Sequence, residues 1–176
     1  ISAAGKKLSK PLKVQLDPRI KISEAELAEQ LAVGKEAGDL SNKLNRVVQR
    51  VDDLTNQLNA LAEKMRSGGP GGPMTGGENG NGAAVNAADL KAAQDDLKKL
   101  RMKLVRDCNM GYRCQGRLRE EAQSLMGSIN NGINAPTEGQ KTVLRELQSE
   151  TAAVIAELTR VSETSIKKLN DQLAAQ

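Results

Sequence analysis

The chain has 176 residues and a net charge of +4; it contains no histidine, tryptophan or phenylalanine, and Tyr112 is its single aromatic residue. The missing histidine removes the commonest general base and metal ligand. The missing aromatic residues exclude a bulky aromatic core and the stacking surface of a single-strand nucleic-acid binder. Leucine, valine, isoleucine and alanine remain for the core, which favours helices packed on helices.

Positive charge is concentrated in residues 98–119, which carry eight basic residues against Asp107. This basic band is a candidate interaction surface for an acidic protein or a polyanion. The alternative is a solvated helix face that neighbouring acidic helices balance. The members of the basic band are Lys98, Lys99, Arg101, Lys103, Arg106, Arg113, Arg117 and Arg119.

Residues 1–22 do not have a helical pattern. Leu12, Val14 and Leu16 alternate with polar residues, which predicts a half-buried strand that begins after Pro11 and ends before Pro18. One strand cannot satisfy its own backbone. We therefore expect an isolated β-strand that belongs to an absent or partner β-domain, in the same parent protein or in a neighbouring subunit. Because the chain starts with Ile1, we also expect it to be a piece of a longer polypeptide.

A first long helix is predicted over residues 23–66. Ser23 and Glu26 have the spacing of a capping box. From Leu40 to Met65 apolar residues recur in alternating steps of four and three, which is a heptad pattern. Gly34 and Gly38 interrupt the upstream third, where they either weaken the helix or allow a neighbouring backbone to approach.

A glycine-rich loop is predicted over residues 67–85. It matches neither the phosphate-binding loop of nucleotide triphosphatases nor a dinucleotide-binding fingerprint, because it lacks the Lys-Ser/Thr pair and follows no strand. We interpret it as a flexible connection between helices.

Two further helical segments follow, over 86–130 with a break near 107–116 and over 137–175. Asn86 is the predicted cap of the first, and Thr137 with Gln140 forms a capping box for the second. The fold class is therefore all-α. Three amphipathic stripes of similar length in one chain predict a long antiparallel three-helix bundle over 23–176. Assembly of the same stripes into a coiled coil with another chain is the alternative, and a homo-oligomer stays open.

Cys108 and Cys114 are the two cysteines of the sequence. Their spacing differs from that of zinc and redox motifs, and no histidine is present to complete a metal set. A structural disulfide that closes a small excursion in the second helix is the favoured interpretation, with free thiols or a redox or metal centre as alternatives. A disulfide would indicate an extracytoplasmic location.

The segment "PLKVQLDPRIKISEAELAEQ" resembles the junction between a small β-sandwich and a C-terminal helical region in secreted bacterial proteins with sortilin-like BNR-repeat β-propellers. The segment "GRLREEAQSLMGSINNGINAPTEGQKTVLRELQ" resembles the second hairpin of that region, while the glycine insertion and the cysteine excursion depart from it. The resemblance implies a large exported propeller protein, whose candidate active surface would lie on the propeller.

We therefore expect a non-enzymatic structural or interaction module with no catalytic residue, metal or cofactor. The alternative is an assembly subunit that docks through the basic band onto an acidic surface or polyanion. A weaker alternative is a positioning arm of an enzyme. No specific nucleic acid is expected, and no apolar run reaches the about 18 residues that span a bilayer.

Overall fold

The computed structural model describes residues 2–3, 6–7, 9–66, 85–106 and 114–175. Strands β1 (Ser2–Ala3) and β2 (Lys6–Lys7) pair antiparallel. The remaining elements are helical, so the fold is all-α, as predicted. They are α1 (Glu24–Arg66), α2 (Ala87–Leu104), α3 (Leu118–Asn130), α4 (Glu138–Val161), a π-helical turn (Ser162–Ile166) and α5 (Lys167–Ala174).

The strand predicted around Leu12, Val14 and Leu16 is not seen in this structure. Residues 9–17 have no regular secondary structure, and the exposed fractions of Leu12 and Val14 are 87% and 86%. A strand needs a neighbour for its backbone groups. The two-stranded sheet of the described residues does not include this segment, and no cross-strand hydrogen bond reaches it there.

Helices α1, α2 and α4 begin at the caps predicted from the sequence, and local hydrogen bonds form each cap. Before α1, the Ser23 hydroxyl accepts from the Glu26 amide at 3.2 Å, and the Glu26 carboxylate accepts from the Ser23 amide at 2.8 Å. Before α2, Asn86 Oδ1 accepts from the Ala88 amide at 2.8 Å. Thr137 and Gln140 form the same reciprocal pair before α4. Each cap satisfies amides that the first helical turn leaves unpaired.

The predicted apolar stripes form one continuous core. In α1 every stripe residue from Leu40 to Met65 is buried except Leu61, which is half-buried. The stripes of α2, α3 and α4 are buried as well. Ile133 lies beyond the end of α3 at Asn130 and is 54% exposed. Among the described residues, no buried side-chain nitrogen or oxygen lacks a hydrogen-bond partner.

Helix α1 contacts both α2 and α3. Asn59 and Asp52 of α1 bind Gln94 and Arg101 of α2, so seven steps back in α1 correspond to seven steps forward in α2. If that register continued, Gly34 would lie opposite residue 119. Instead it lies against Asn130, eleven residues later.

An insertion of this length fits residues 106–116, which lie within the segment 105–117 between α2 and α3. With 106–116 omitted, the buried residues of the two helices recur in alternating steps of three and four from Leu97 to Ile129. We therefore regard α2 and α3 as one helical line along α1 that carries an eleven-residue insertion. Residues 107–113 of the predicted break, like 67–84 of the predicted loop, lie outside the described residues.

A π-helical turn changes the register of the last helix by one residue. Val161 and Leu169 are buried, and Ile166 packs against the core from the turn between them. The step from Val161 to Ile166 is five residues, which fits the wider π turn. The π turn therefore brings Ile166 against the core.

Gly34 and Gly38 differ in their surroundings. A Cβ atom at Gly34 would lie 2.7 Å from Asn130 Oδ1, whereas at Gly38 it would make an ordinary contact with Met126 at 4.0 Å. Close approach of a neighbouring helix therefore explains Gly34 and does not explain Gly38.

If residues 106–116 are an insertion, their deletion should have little effect on the free energy of unfolding. Deletion of residues 106–116 should join α2 and α3 in register and leave the free energy of unfolding within about 1 kcal/mol of the parent, or raise it, because the apolar stripe stays aligned. The measurement is urea unfolding followed by circular dichroism at 222 nm.

The matched control is deletion of residues 107–116, which retains one extra residue. The extra residue rotates α3 by about 100° relative to α2, so the apolar stripe of α3 no longer faces the core. The free energy of unfolding should therefore fall by about 3 kcal/mol or more. Equal stability of the two deletions would contradict the insertion account.

Candidate functional site

The basic band was the main candidate site, and its described members lie on α2, on α3 and in the segments beside them. Lys98, Lys99 and Lys103 of α2 are exposed, and Arg101 is half-buried. Arg106 and Arg117 are exposed on either side of the insertion, and Arg119 is half-buried in the first turn of α3. Arg113 lies outside the described residues.

Four members of the basic band are already paired with acidic residues of this chain. Arg101 Nε lies 2.7 Å from Asp52 of α1, and Lys103 Nζ lies 2.6 Å from Glu157 of α4. The other two pairs are local, Lys99 with Asp96 and Arg119 with Glu120. The band is therefore part of the contact between helices, and it presents less free positive charge than the sequence suggested.

Glu120 joins the two ends of the insertion. Its Oε2 accepts from the backbone amides of Arg106 and Arg117, both at 3.0 Å. Its Oε1 accepts from the Arg119 guanidinium at 2.9 and 3.2 Å. Glu120 was not predicted from the sequence, although a Glu three positions after a helix cap is a recognisable signal.

The surroundings of Glu120 favour its charged form. Burial by itself raises the pKa of the carboxyl, but the hydrogen bonds from Arg106, Arg117 and Arg119 outweigh it and lower the pKa below the usual 4.5. Glu120 therefore stays ionised at neutral pH and holds the C-terminal end of α2 next to the N-terminal end of α3.

A groove of about 390 Å³ opens beside the insertion, over α4. Lys103 and Arg117 line it together with the carboxylates of Glu121, Glu150 and Glu157, and Val154 contributes apolar surface. Its described lining has no serine, threonine, cysteine or histidine. The mixed charges suit contacts within the fold better than a single class of ligand.

Cys114 is disulfide-bonded. Cys108, the other cysteine of the sequence, lies outside the described residues. Arg106 Nη1 lies 3.5 Å from the Cys114 carbonyl oxygen, which places Cys114 close to the end of α2.

Neither a metal site nor a membrane-spanning helix occurs in the described parts of the chain. No group of three or more acidic, cysteine or histidine residues there is arranged to hold a metal ion. None of the helices described is long and apolar enough to cross a membrane.

Comparison with known proteins adds no relative. No protein-family model matches the chain, and neither a curated protein nor a solved structure shows significant similarity to it.

The role of Glu120 predicts a pH-dependent effect of Glu120→Gln. Because the folded pKa is lowered, the contribution of Glu120 is fully present above 4.5 and is lost as pH falls through the folded value. At pH 7 the variant should lose about 1–2 kcal/mol, since hydrogen bonds to a charged acceptor weaken. The difference from the parent should vanish in acid.

Urea unfolding of both proteins at several pH values from neutral to acid measures this difference. Glu121→Gln is the matched control, because the neighbouring Glu121 is exposed and should show no such dependence. A constant difference between Glu120→Gln and the parent at every pH would contradict the account.

Proposed function

We propose that this chain is a non-enzymatic structural and interaction module, the C-terminal helical part of a larger exported β-propeller protein of the sortilin-like BNR-repeat type. In this proposal α1, the line of α2 and α3, and the rod of α4 with α5 form a long antiparallel three-helix bundle. Residues 9–16 attach the bundle to a β-domain.

The order of contacts between helices supports the bundle. Lys103 of α2 binds Glu157 of α4, and Asp89, near the start of α2, binds Lys168 of α5 at 2.9 Å. The residue numbers rise along one helix as they fall along the other, as they do between α1 and α2. Gln140 near the start of α4 donates to Ser128 near the end of α3 at 3.1 Å, which continues the same order.

The observation that carries the proposal is the exposure of segment 9–16, which contributes no residue to the hydrophobic core of the helices. Its large apolar side chains Leu12 and Val14 are almost fully in solvent, although the described helices bury their apolar stripes. Their alternation with Lys13 and Gln15 is the pattern of a strand with one buried face. Addition to a sheet edge would bury Leu12 and Val14 and pair the backbone.

Pro11 indicates which side of this segment would face the sheet. The amide and carbonyl groups of alternate residues point to opposite edges of a strand, so Leu12 and Val14 share one edge while Pro11 and Lys13 share the other. Proline has no amide hydrogen and is tolerated where that side faces solvent. The edge of Leu12 and Val14 is therefore the one that pairs.

A short turn connects this segment to α1. The Arg19 amide donates to Asp17 Oδ1 at 2.9 Å, and the Arg19 guanidinium binds the same carboxylate. The Ile20 amide donates to the Asp17 carbonyl at 2.9 Å. The hydrogen bond from the Arg19 side chain lowers the pKa of Asp17, so the turn keeps its ion pair at neutral pH. These hydrogen bonds fix the turn between segment 9–16 and α1.

We further propose that Cys108 and Cys114 form one disulfide across the insertion and that the protein is extracytoplasmic. The bonded state of Cys114 supports this, because the sequence contains no other cysteine than Cys108. Docking through the basic band is the weaker candidate, because Arg101 and Lys103 are already paired within the chain.

Hydrogen exchange tests the attachment. In the complete polypeptide that the gene encodes, the amides of Leu12, Val14 and Leu16 should exchange slowly, since they would pair with a sheet edge, whereas in the chain of residues 1–176 they should exchange at once. Fast exchange in both proteins would contradict the proposal.

Two double variants separate a paired strand from a merely covered one. Leu12→Asp with Val14→Asp should abolish the protection, because these side chains would enter the partner core. Lys13→Asp with Gln15→Asp should retain it, because those side chains lie on the opposite face.

A further inference from the structure

An asparagine followed by a glycine lies directly after helix α3. The sequence contains three such pairs, at 79–80, 81–82 and 131–132, and the last of them lies within the described residues. Asparagine is a thermolabile residue, because the amide nitrogen of the next residue can attack its side-chain carbonyl carbon. Glycine has no Cβ atom that hinders this approach. The pair 131–132 therefore has the composition of a site of spontaneous covalent modification.

Both reacting groups of this pair are free of hydrogen bonds within the described residues. Asn131 is exposed, and its carboxamide has no hydrogen-bond partner there. The Gly132 amide donates to no backbone carbonyl of the described residues, whereas the Asn131 amide donates to the Gly127 carbonyl at 2.9 Å and closes α3. Attack of the Gly132 nitrogen on Asn131 Cγ therefore breaks no hydrogen bond of either group.

The two neighbouring asparagines lack these properties. Asn130 is followed by Asn131, whose amide is engaged by the Gly127 carbonyl. The side chain of Asn134 donates to the Ala135 carbonyl at 3.2 Å, and the alanine that follows it carries a Cβ atom. We therefore expect Asn131 to be the reactive member of the three.

The side chain of Gln30 opposes the reaction. Asn131 has a helical ψ of −11°, and closure of a ring with its side chain requires rotation about the bond between its Cα and carbonyl carbon. Gln30 Nε2 donates to the Ile129 carbonyl at 2.8 Å and also to the Gly132 carbonyl. One amide group of α1 thus holds carbonyls on both sides of the bond that must rotate.

We propose that Asn131 and Gly132 form a self-modification site and that Gln30 sets its rate by holding the turn after α3 in the unreactive conformation. The reactive conformation is reached when both hydrogen bonds of Gln30 open together. The observed rate is then the rate of the free pair multiplied by the fraction of molecules in which this turn is open.

The reaction needs no reactant except water. The Gly132 nitrogen forms a bond to Asn131 Cγ and gives its proton to the solvent, while Nδ2 takes up a proton and leaves as ammonia. Water then opens the five-membered ring. Cleavage of the new bond to Cγ yields aspartate, and cleavage of the original main-chain bond yields isoaspartate, in which the chain runs through Cγ.

Either product alters the contact between α1 and the turn after α3. A new carboxylate lies at the C-terminal end of α3, where the helix dipole is negative and the last turn contains no basic residue. Isoaspartate also lengthens the main chain by one carbon between the carbonyls of Ile129 and Gly132. Gln30 then no longer matches both acceptors, so the modification loosens the start of α1 from this turn.

Peptide mapping of the chain after incubation at mildly alkaline pH tests the proposal. Trypsin releases residues 120–141 as one peptide, which contains Asn130, Asn131 and Asn134 together. Incubation in water enriched in heavy oxygen labels only the carboxylates that form before digestion. Conversion should occur at Asn131, with both aspartate and isoaspartate formed, while Asn130 and Asn134 remain amides. A synthetic peptide of residues 120–141 should convert faster at Asn131 than the folded chain.

Two variants test the role of Gln30. Gln30→Ala should raise the conversion rate of Asn131 about fivefold or more, because two hydrogen bonds that hold the unreactive turn are lost. Gln94→Ala is the matched control: Gln94 is also half-buried and donates across helices, to Asn59 at 2.9 Å, but far from the turn. It should leave the rate at Asn131 unchanged.

Each contrary result overturns a defined part of the proposal. Intact Asn131 in both the parent and Gln30→Ala, while the synthetic peptide converts, would remove the modification site. Equal rates in the parent and Gln30→Ala would remove the role of Gln30. Equal acceleration by Gln30→Ala and Gln94→Ala would assign the reaction to global unfolding and contradict local control by Gln30.

The structural consequence has its own measurement. Converted and unconverted chains differ by one negative charge and can be separated by ion exchange. The converted fraction should melt at a lower temperature than the unconverted fraction, because the contact of Gln30 is lost. Equal melting temperatures would contradict the proposed loosening.

Discussion

The apolar stripe of α1 is the constraint on which the rest of the structure depends. Helix α1 has 43 residues, and α2 and α3 both pack along it. None of these helices has more than one narrow apolar face, so none would be stable alone in water. Leu44 and Val51 in α1 and Leu97 and Leu100 in α2 are completely buried because the stripes face one another.

That constraint explains where the chain tolerates additions. The buried positions of α2 and α3 stay in register when residues 106–116 are omitted, and Glu120 joins the two sides through the amides of Arg106 and Arg117. The π-helical turn absorbs one more residue and keeps Leu169 in the core. The insertion and the π-helical turn each lie between helical segments whose apolar stripes remain aligned. Both therefore leave the hydrophobic core intact.

Local patterns in the sequence predict the parts of the fold that depend on neighbours three or four residues away. The caps at Ser23, Asn86 and Thr137 and the buried stripes are of this kind. The sequence did not predict the pairing of Arg101 with Asp52, because that contact needs the register between two helices. The strand expected at Leu12 is not seen for a related reason: a strand needs a neighbouring strand for its backbone groups, and none of the described residues supplies one.

The central claim is that α2 and α3 form one line that runs opposite to α1. Spin labels on non-cysteine amino acids test it as two pairs, one at residues 53 and 98 and one at 42 and 123, whose distances are read by pulsed electron resonance. Two neighbouring antiparallel helices lie about 10 Å apart, so both pairs should give short distances, under about 25 Å with the labels. A short distance for the first pair with about 35 Å or more for the second would indicate parallel helices and would contradict the account.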